Sequence, residues 1–181
     1  MIEPYTIVQL LGIITFALQA AIIASAVIWL LNKAGLINLY ENAKMQVINS
    51  KIEEYYREIV LLIASSATAG SLYTSEIMEF EPCLLCWYQR IFMYPLVLLA
   101  GTSVLLRKDD LDEYALPLII IGGAIAFYHI FVQVAGDILP SGCGTDVPCT
   151  LAYISELGYI TIPVMAFTTF LTMGIVIWRY K

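Results

Sequence analysis

Residues 7 to 31 decide the fold: Ile7-Val8-Gln9-Leu10-Leu11-Gly12-Ile13-Ile14-Thr15-Phe16-Ala17-Leu18-Gln19-Ala20-Ala21-Ile22-Ile23-Ala24-Ser25-Ala26-Val27-Ile28-Trp29-Leu30-Leu31. Only Gln9, Thr15, Gln19 and Ser25 are clearly polar in this run. At ~1.5 Å per residue it comfortably crosses ~30 Å of hydrocarbon as a helix. The preceding Met1-Ile2-Glu3-Pro4-Tyr5-Thr6 lacks the basic region of a cleavable signal peptide, and the run is too long for one, so it is expected to be a retained span.

The rest of the chain agrees. Its 181 residues are 60% hydrophobic and 13% charged, with a mean hydropathy of +0.82, which is the composition of an integral membrane protein. Five spans of ~20 residues with short loops nearly exhaust the length, so one helical bundle is expected. The net charge of -6 argues against a nucleic-acid partner.

Four further apolar stretches follow. Ile59 to about Met78 is rich in small residues, from Ala64 to Ser71, which suit close helix packing. About Trp87 to Leu106 contains Pro95, which should kink it, and ends at Arg107-Lys108-Asp109-Asp110. About Tyr114 to Ala135 has Pro117 near its start and Gly122-Gly123 to admit a close neighbour. About Ile160 to Trp178 carries Pro163 in its first turn. Residues 36–58 place Val47, Ile48, Ile52, Tyr55, Tyr56 and Ile59 at helical spacing, as an interfacial helix or a helical extension of the second span.

Basic residues orient the spans. Lys33, Lys44, Lys51 and Arg57 fall in the first loop, Arg107 and Lys108 in the third, and Arg179 and Lys181 at the C-terminus. Five spans put all three segments on one side, which the positive-inside rule makes the cytoplasm, with the N-terminus outside. Two spans separate Cys86 from Cys143, so both cysteine pairs, Cys83 with Cys86 and Cys143 with Cys149, face outward and can meet. Arg90 alone among the nine basic residues is left on the outer half.

Four cysteines in two close pairs suit an oxidising face, although the same count serves zinc in a reducing compartment. Residues three apart on a helix lie ~5 Å apart at Cα, within the ~4.4–6.8 Å of a disulfide, so Cys83 and Cys86 can open and close with little backbone movement. A helix starting near Cys83 would place Cys86 in its first turns, where unpaired N–H groups favour a thiolate, with Arg90 four residues further along the same face. The bland alternatives are a structural loop disulfide or half a zinc site for the pair, and an arginine reaching the outer headgroups for Arg90. A positive charge kept in lipid favours a functional site.

The second pair sits in Asp137-Ile138-Leu139-Pro140-Ser141-Gly142-Cys143-Gly144-Thr145-Asp146-Val147-Pro148-Cys149, dense in turn formers and therefore expected to be an exposed, mobile outer loop. Such a dithiol can present one sulfur to a soluble protein and then swing to another disulfide. Its bland reading is a staple within the loop.

The stretch Cys83-Leu84-Leu85-Cys86-Trp87-Tyr88-Gln89-Arg90 strongly resembles the C-x-x-C-x-x-Q-R signature of the disulfide bond formation protein B (DsbB) family. Tyr128-His129 with Gln133, the paired Cys143 and Pro148-Cys149, and Gly158-Tyr159-Ile160-Thr161-Ile162-Pro163 agree with it, and the short second spacing looks like the BdbC-type branch. The resemblance covers roughly residues 58 to 181. It implies a prokaryotic plasma-membrane thiol:quinone oxidoreductase built as a four-helix bundle, which reoxidises a secreted or tethered thioredoxin-like oxidase of the DsbA/BdbD kind and passes the electrons to ubiquinone or menaquinone.

By the same resemblance Cys143 and Cys149 exchange with the partner, Cys83 and Cys86 reduce quinone, Cys86 is the thiolate against the quinone ring, and Arg90 lies beside it. His129 matches a quinone-contacting position, although a lone histidine near a helix end is more often a packing residue. Gln89, Tyr128 and Gln133 read as hydrogen-bonding packers. No metal is expected, and flavin, haem and nucleotide motifs are absent from the sequence.

The chain is therefore expected to be an all-α integral membrane protein, a four-helix transmembrane core over residues 58–181 with an extra N-terminal transmembrane helix and amphipathic segment over residues 1–57. The alternatives are a vitamin K epoxide reductase-like enzyme and a non-enzymatic scaffold with structural disulfides. In the former family the loop pair precedes the C-x-x-C, whereas here Cys83 and Cys86 come first.

Overall fold

The computed structural model describes residues 4–36, 43–136, 143 and 147–180. The turn-rich stretch around the second cysteine pair, at 137–142 and 144–146, and the start of the amphipathic stretch, at 37–42, lie outside the described residues. Helices α1 (Pro4–Lys33), α2 (Ala43–Glu54), α3 (Tyr56–Leu72), α4 (Leu84–Leu106), α5 (Leu111–Ala135) and α6 (Ile162–Tyr180) account for the architecture. The described residues hold no strand beyond one isolated bridge between Glu156 and Ile160.

Four of these helices, α1, α4, α5 and α6, are long and apolar enough to cross a membrane. The protein is an all-α, multi-pass membrane protein. Helix α3 has 17 residues, but a π-helical turn over Tyr73–Ile77 continues it. That single wide turn follows Ser71, whose carbonyl accepts from Thr74 Oγ1 at 2.9 Å and from Arg90 Nη2 at 3.1 Å. Wide turns of this kind recur next to functional sites.

Helices α3 to α6 form the bundle, with α4 between α3 and α5, and α6 packed on α3 and α5. Its core joins Val60 and Ala64 of α3, Leu96 and Ala100 of α4, Ala115 and Ile119 of α5, and Phe170, Met173 and Ile177 of α6. Lipid tails are as apolar as these side chains, so close packing rather than escape from water holds the helices together. Gly122 shows the consequence, since a Cβ there would overlap the Phe170 ring. The glycine pair anticipated to admit a close neighbour does so.

Two helices begin earlier than hydropathy indicates. Helix α4 starts at Leu84 because Cys83 takes extended backbone, φ −67° and ψ 170°, directly before it. Cys86 therefore lies in the first turn. Helix α5 starts at Leu111, which leaves Pro117 beyond the first turn, where its missing N–H does break the ladder. At the α4–α5 turn Arg107 adopts φ +53°, Lys108 N–H returns to Ser103 O at 3.1 Å, and Arg57 pairs with Asp109 at 2.8 Å. The left-handed residue and back-bond match a helix-ending motif, here with arginine where glycine is usual.

The additional N-terminal helix α1 sits at the edge, packed chiefly on α6. Leu10, Ile13, Phe16, Ile23 and Leu30 face outward. Its attachment is concentrated at the end of the bundle that carries the cysteines. Tyr159 Oη donates to Gln19 Oε1 at 2.7 Å, Gln19 Nε2 donates to Thr168 Oγ1 at 3.0 Å, and a Cβ on Gly12 would meet Glu156 Cβ at 3.0 Å. The amphipathic stretch is a distinct helix, α2, separated from α3 at Tyr55 and tied to α6 by Tyr180 Oη donating to Asn49 Oδ1 at 3.0 Å.

Candidate active site

Pro82 and the extended backbone of Cys83 start α4, and Trp87 N–H closes the first helical bond on Cys83 O at 3.0 Å. The Sγ atoms of Cys83 and Cys86 lie 3.1 Å apart and are not bonded to each other. They share a proton. The hydrogen bond with Cys86 holds the Cys83 thiol well below its ordinary range, with His129 adding to the effect and burial opposing it. Cys83 is buried, while Cys86 is partly open.

His129, 1% exposed on α5, organises the surroundings. Its Nδ1 lies 2.9 Å from Gln89 Nε2, its Nε2 lies 3.0 Å from the Cys149 carbonyl oxygen, and the same Nε2 lies 3.7 Å from Cys83 Sγ. A consistent assignment has the Gln89 amide donating to Nδ1 and Nε2–H donating to Cys149 O. One imidazole thus touches the first dithiol and the chain segment of the second.

Cys143 and Cys149 form a disulfide. Cys149 is 1% exposed and clusters with Cys83, Leu85 and Val132, with Cys86, Cys143 and Val147 packed against them. The sequence led us to expect an exposed loop; at Cys149 it is instead buried, because His129 captures its carbonyl and Val132 covers it. The two pairs, expected from the sequence to share one side, come together in one cluster.

Further bonds seat the segment after Cys149. The rings of Phe80 and Tyr153 stack at 4.8 Å, joining it to the approach to Cys83. Thr161 Oγ1 donates to Gln133 Oε1 at 2.7 Å, and Gln133 Nε2 donates to Leu151 O at 3.4 Å. Gln133 is thus a packing residue, as read. Arg90 lies on the first dithiol's helix, its guanidinium on Ser71 O and 5.2 Å from the Trp87 ring centroid.

A cavity of about 20 Å³ lies behind the cysteines, lined by Cys83, Cys86, His129, Gln133, Pro148 and Tyr153 among others. It holds about one water. A second cleft, about 1300 Å³, is lined by Trp29, Ile48, Phe127, Phe170 and Trp178 among others, and no cysteine lines it. Sequence reasoning missed the Gln89–His129 pair, the Phe80–Tyr153 stack and the Ser71 carbonyl under Arg90. The residues are far apart in the chain, and no local spacing signals their meeting.

The family model described as disulfide bond formation protein DsbB matches residues 55–179. The probable disulfide formation protein C 1 of Bacillus anthracis is 49% identical over 111 residues, covering 60% of this chain and 79% of that protein. The disulfide bond formation protein C of Bacillus subtilis (strain 168) is 45% identical over 111 residues, 61% of this chain and 80% of its own. The probable disulfide formation protein C of Halalkalibacterium halodurans is 46% identical over 117 residues, 63% of this chain and 84% of its own. No solved structure gives a significant match.

Proposed function

The chain belongs to the DsbB family of membrane oxidoreductases that form disulfide bonds, and from that footing we propose the route its electrons take: from a secreted thioredoxin-like oxidase, through Cys143 and Cys149, to Cys83 and Cys86, and on to a membrane quinone. The observation that carries this reading is the single cluster holding both cysteine pairs, with His129 against Cys83 and against the Cys149 carbonyl.

The exchanges balance as follows. A partner thiolate attacks Cys143, the less buried sulfur of its disulfide, and expels Cys149 as a thiolate; the second partner thiol then takes over the mixed disulfide and frees Cys143. The partner leaves oxidised, and two electrons rest on the loop dithiol. Cys149 attacks Cys83 in the Cys83–Cys86 disulfide and expels Cys86 as a thiolate. Cys143 then closes on Cys149 and frees Cys83. The pairing observed, with Cys143–Cys149 closed and Cys83 and Cys86 open, corresponds to this point of the cycle.

In the open dithiol that results, the thiolate rests on Cys83. Once Cys83 is in a disulfide, Cys86 is the sulfur that carries negative charge, one helical turn from Arg90. The residues around it fit a quinone headgroup: Cys86 is partly open, and Leu84, Trp87 and Ile91 are exposed apolar neighbours. The cavity behind the cysteines is too small for a ring, so the headgroup belongs on the bilayer side of Cys86. Bound there, ubiquinone or menaquinone supplies a two-electron, two-proton sink. For a two-electron couple ~30 mV is ~1.4 kcal/mol, so a higher-potential acceptor draws the exchanges forward.

This reading assigns the cysteines to the outer face and the C-terminus to the cytoplasm, by the distribution of Lys and Arg. It treats residues 58–181 as the oxidoreductase core and residues 1–57 as an adjunct, which the span of the family match and the edge position of α1 support. The test mixes the purified protein with a reduced thioredoxin-like oxidase and a soluble quinone and follows quinone absorbance. Thiol-dependent quinone reduction is expected, and its absence would sink the proposal.

A further inference from the structure

Cys83 Sγ, Cys86 Sγ and His129 Nε2 converge so that the ligand atoms of all three residues lie within 4.8 Å of one another. We infer that the open dithiol and His129 together form a binding site for a soft divalent cation of the Zn²⁺ and Cd²⁺ class, which exists only while Cys83 and Cys86 are reduced.

The geometry is close to what such an ion requires. Tetrahedral Zn²⁺ with bonds of ~2.3 Å to sulfur and ~2.05 Å to nitrogen sets S···S near ~3.8 Å and S···N near ~3.6 Å. The observed separations are 3.1 Å between the sulfurs and 3.7 Å from Cys83 Sγ to His129 Nε2. Side-chain rotations of Cys83 and Cys86 must open the sulfurs by the remaining ~0.7 Å and draw Cys86 Sγ, which lies within 4.8 Å of the imidazole nitrogen, closer to it. The fourth position has a place as well, because the adjoining cavity of about 20 Å³ accommodates one water.

The surroundings supply the shell behind the ligands. To bind metal, Nε2 must give up its proton, which moves the imidazole to the Nδ1–H form. Gln89, 2.9 Å from Nδ1, can then turn its amide so that Oε1 accepts that proton, in the manner of the acceptors that orient metal-bound histidines. The dithiol releases the one proton its sulfurs share as the two sulfur bonds form, and no electrons move. Forming the Cys83–Cys86 disulfide removes both sulfur ligands and closes the site.

Two consequences follow for the chain. A bound cation occupies both sulfurs of the dithiol, so it arrests exchange until removed. It also takes His129 Nε2 from the Cys149 carbonyl, releasing the clamp on the second pair. The inference rests on the positions of three side chains and stands apart from the identity of the electron acceptor.

The experiment titrates Cd²⁺ into purified protein in which Cys143 and Cys149 are both replaced by serine, so that Cys83 and Cys86 are the only thiols. Thiolate-to-Cd²⁺ charge-transfer absorbance is read with no quinone or partner present, which separates the result from the electron relay. One Cd²⁺ per reduced chain is expected, with none on the disulfide form. His129→Ala and the more conservative His129→Gln should each weaken binding about tenfold or more, and Gln89→Glu should tighten it, as a stronger acceptor behind a metal-bound imidazole does. Unchanged affinity in both His129 variants, or equal binding by the disulfide form, would overturn the site.

Discussion

His129 Nε2 lies 3.0 Å from the carbonyl oxygen of Cys149, so a side chain of α5 holds the backbone of the second cysteine pair over the first. A buried hydrogen bond of this kind fixes more than its own energy suggests, because the segment it holds carries a reacting sulfur. Burial also makes it costly to lose, since both Gln89 and the Cys149 carbonyl would be left without their partner.

Replacing His129 by alanine should therefore lower stability by about 1–3 kcal/mol. It should also slow electron transfer from loop dithiol to first dithiol more than it slows exchange with the partner. Thermal unfolding in detergent reads the first effect, and single-turnover reoxidation of Cys83 and Cys86 reads the second. Equal slowing of both exchanges would remove His129 from the bridging role.

Cys86→Ser should trap the chain part-way. With no Cys86 to reclose on, Cys83 should be found bonded to Cys149, the buried sulfur of its own cluster, in preference to Cys143. Mass mapping of peptides digested without reduction distinguishes the two. A Cys83–Cys143 bond as the main product would reverse the assigned order of the loop cysteines.

Arg90→Ala should raise the apparent quinone KM about three- to tenfold, equivalent to the loss of about one ordinary hydrogen bond. The rate of exchange with the partner should not change. Because the guanidinium also binds Ser71 O, Arg90→Lys, which keeps charge and one donor, is expected to recover part of the effect. Quinone kinetics unchanged in Arg90→Ala would take the arginine out of the site.

Gly122→Ala should destabilise the bundle by about 1–3 kcal/mol, since the added methyl overlaps the Phe170 ring and forces α5 and α6 apart. Gly123→Ala, where the nearest contact of an added Cβ is Phe170 Cβ at 3.5 Å, should be tolerated far better. Comparing the two melting temperatures in one detergent checks the claim, and equal losses would contradict it.

The additional helix gives a further check. Gln19 receives the Tyr159 hydroxyl, and Glu156 packs against Gly12, on the segment that runs from Cys149 into α6. Gly12→Val should loosen this attachment, raising hydrogen exchange at residues 154–160 while leaving α3 to α5 protected. No local change there would mean that α1 does not brace the segment.

The sequence by itself determined the membrane class and the all-α architecture, and it led to the expectation that the two cysteine pairs meet on one side. Each depends on a pattern that is local: continuous apolar length, basic residues in alternate loops, and an even number of crossings between Cys86 and Cys143. The C-x-x-C spacing and Arg90 four residues on are equally local, so the first dithiol is legible from spacing alone. Helix starts were less so. Hydropathy put the starts at about Trp87 and Tyr114, whereas α4 begins at Leu84 and α5 at Leu111, because backbone geometry rather than apolar content sets those ends.

What only the tertiary structure decided is how the pairs are joined. The burial of Cys149, the seat of His129 between Gln89 and the Cys149 carbonyl, the stacking of Phe80 on Tyr153 and the fit of Gly122 to Phe170 all pair residues from different helices or loops. Such contacts depend on how helices turn and pack about one another, and in lipid that packing is governed by the shapes of small facing residues. A one-dimensional pattern of apolar and polar positions carries no record of those facing shapes.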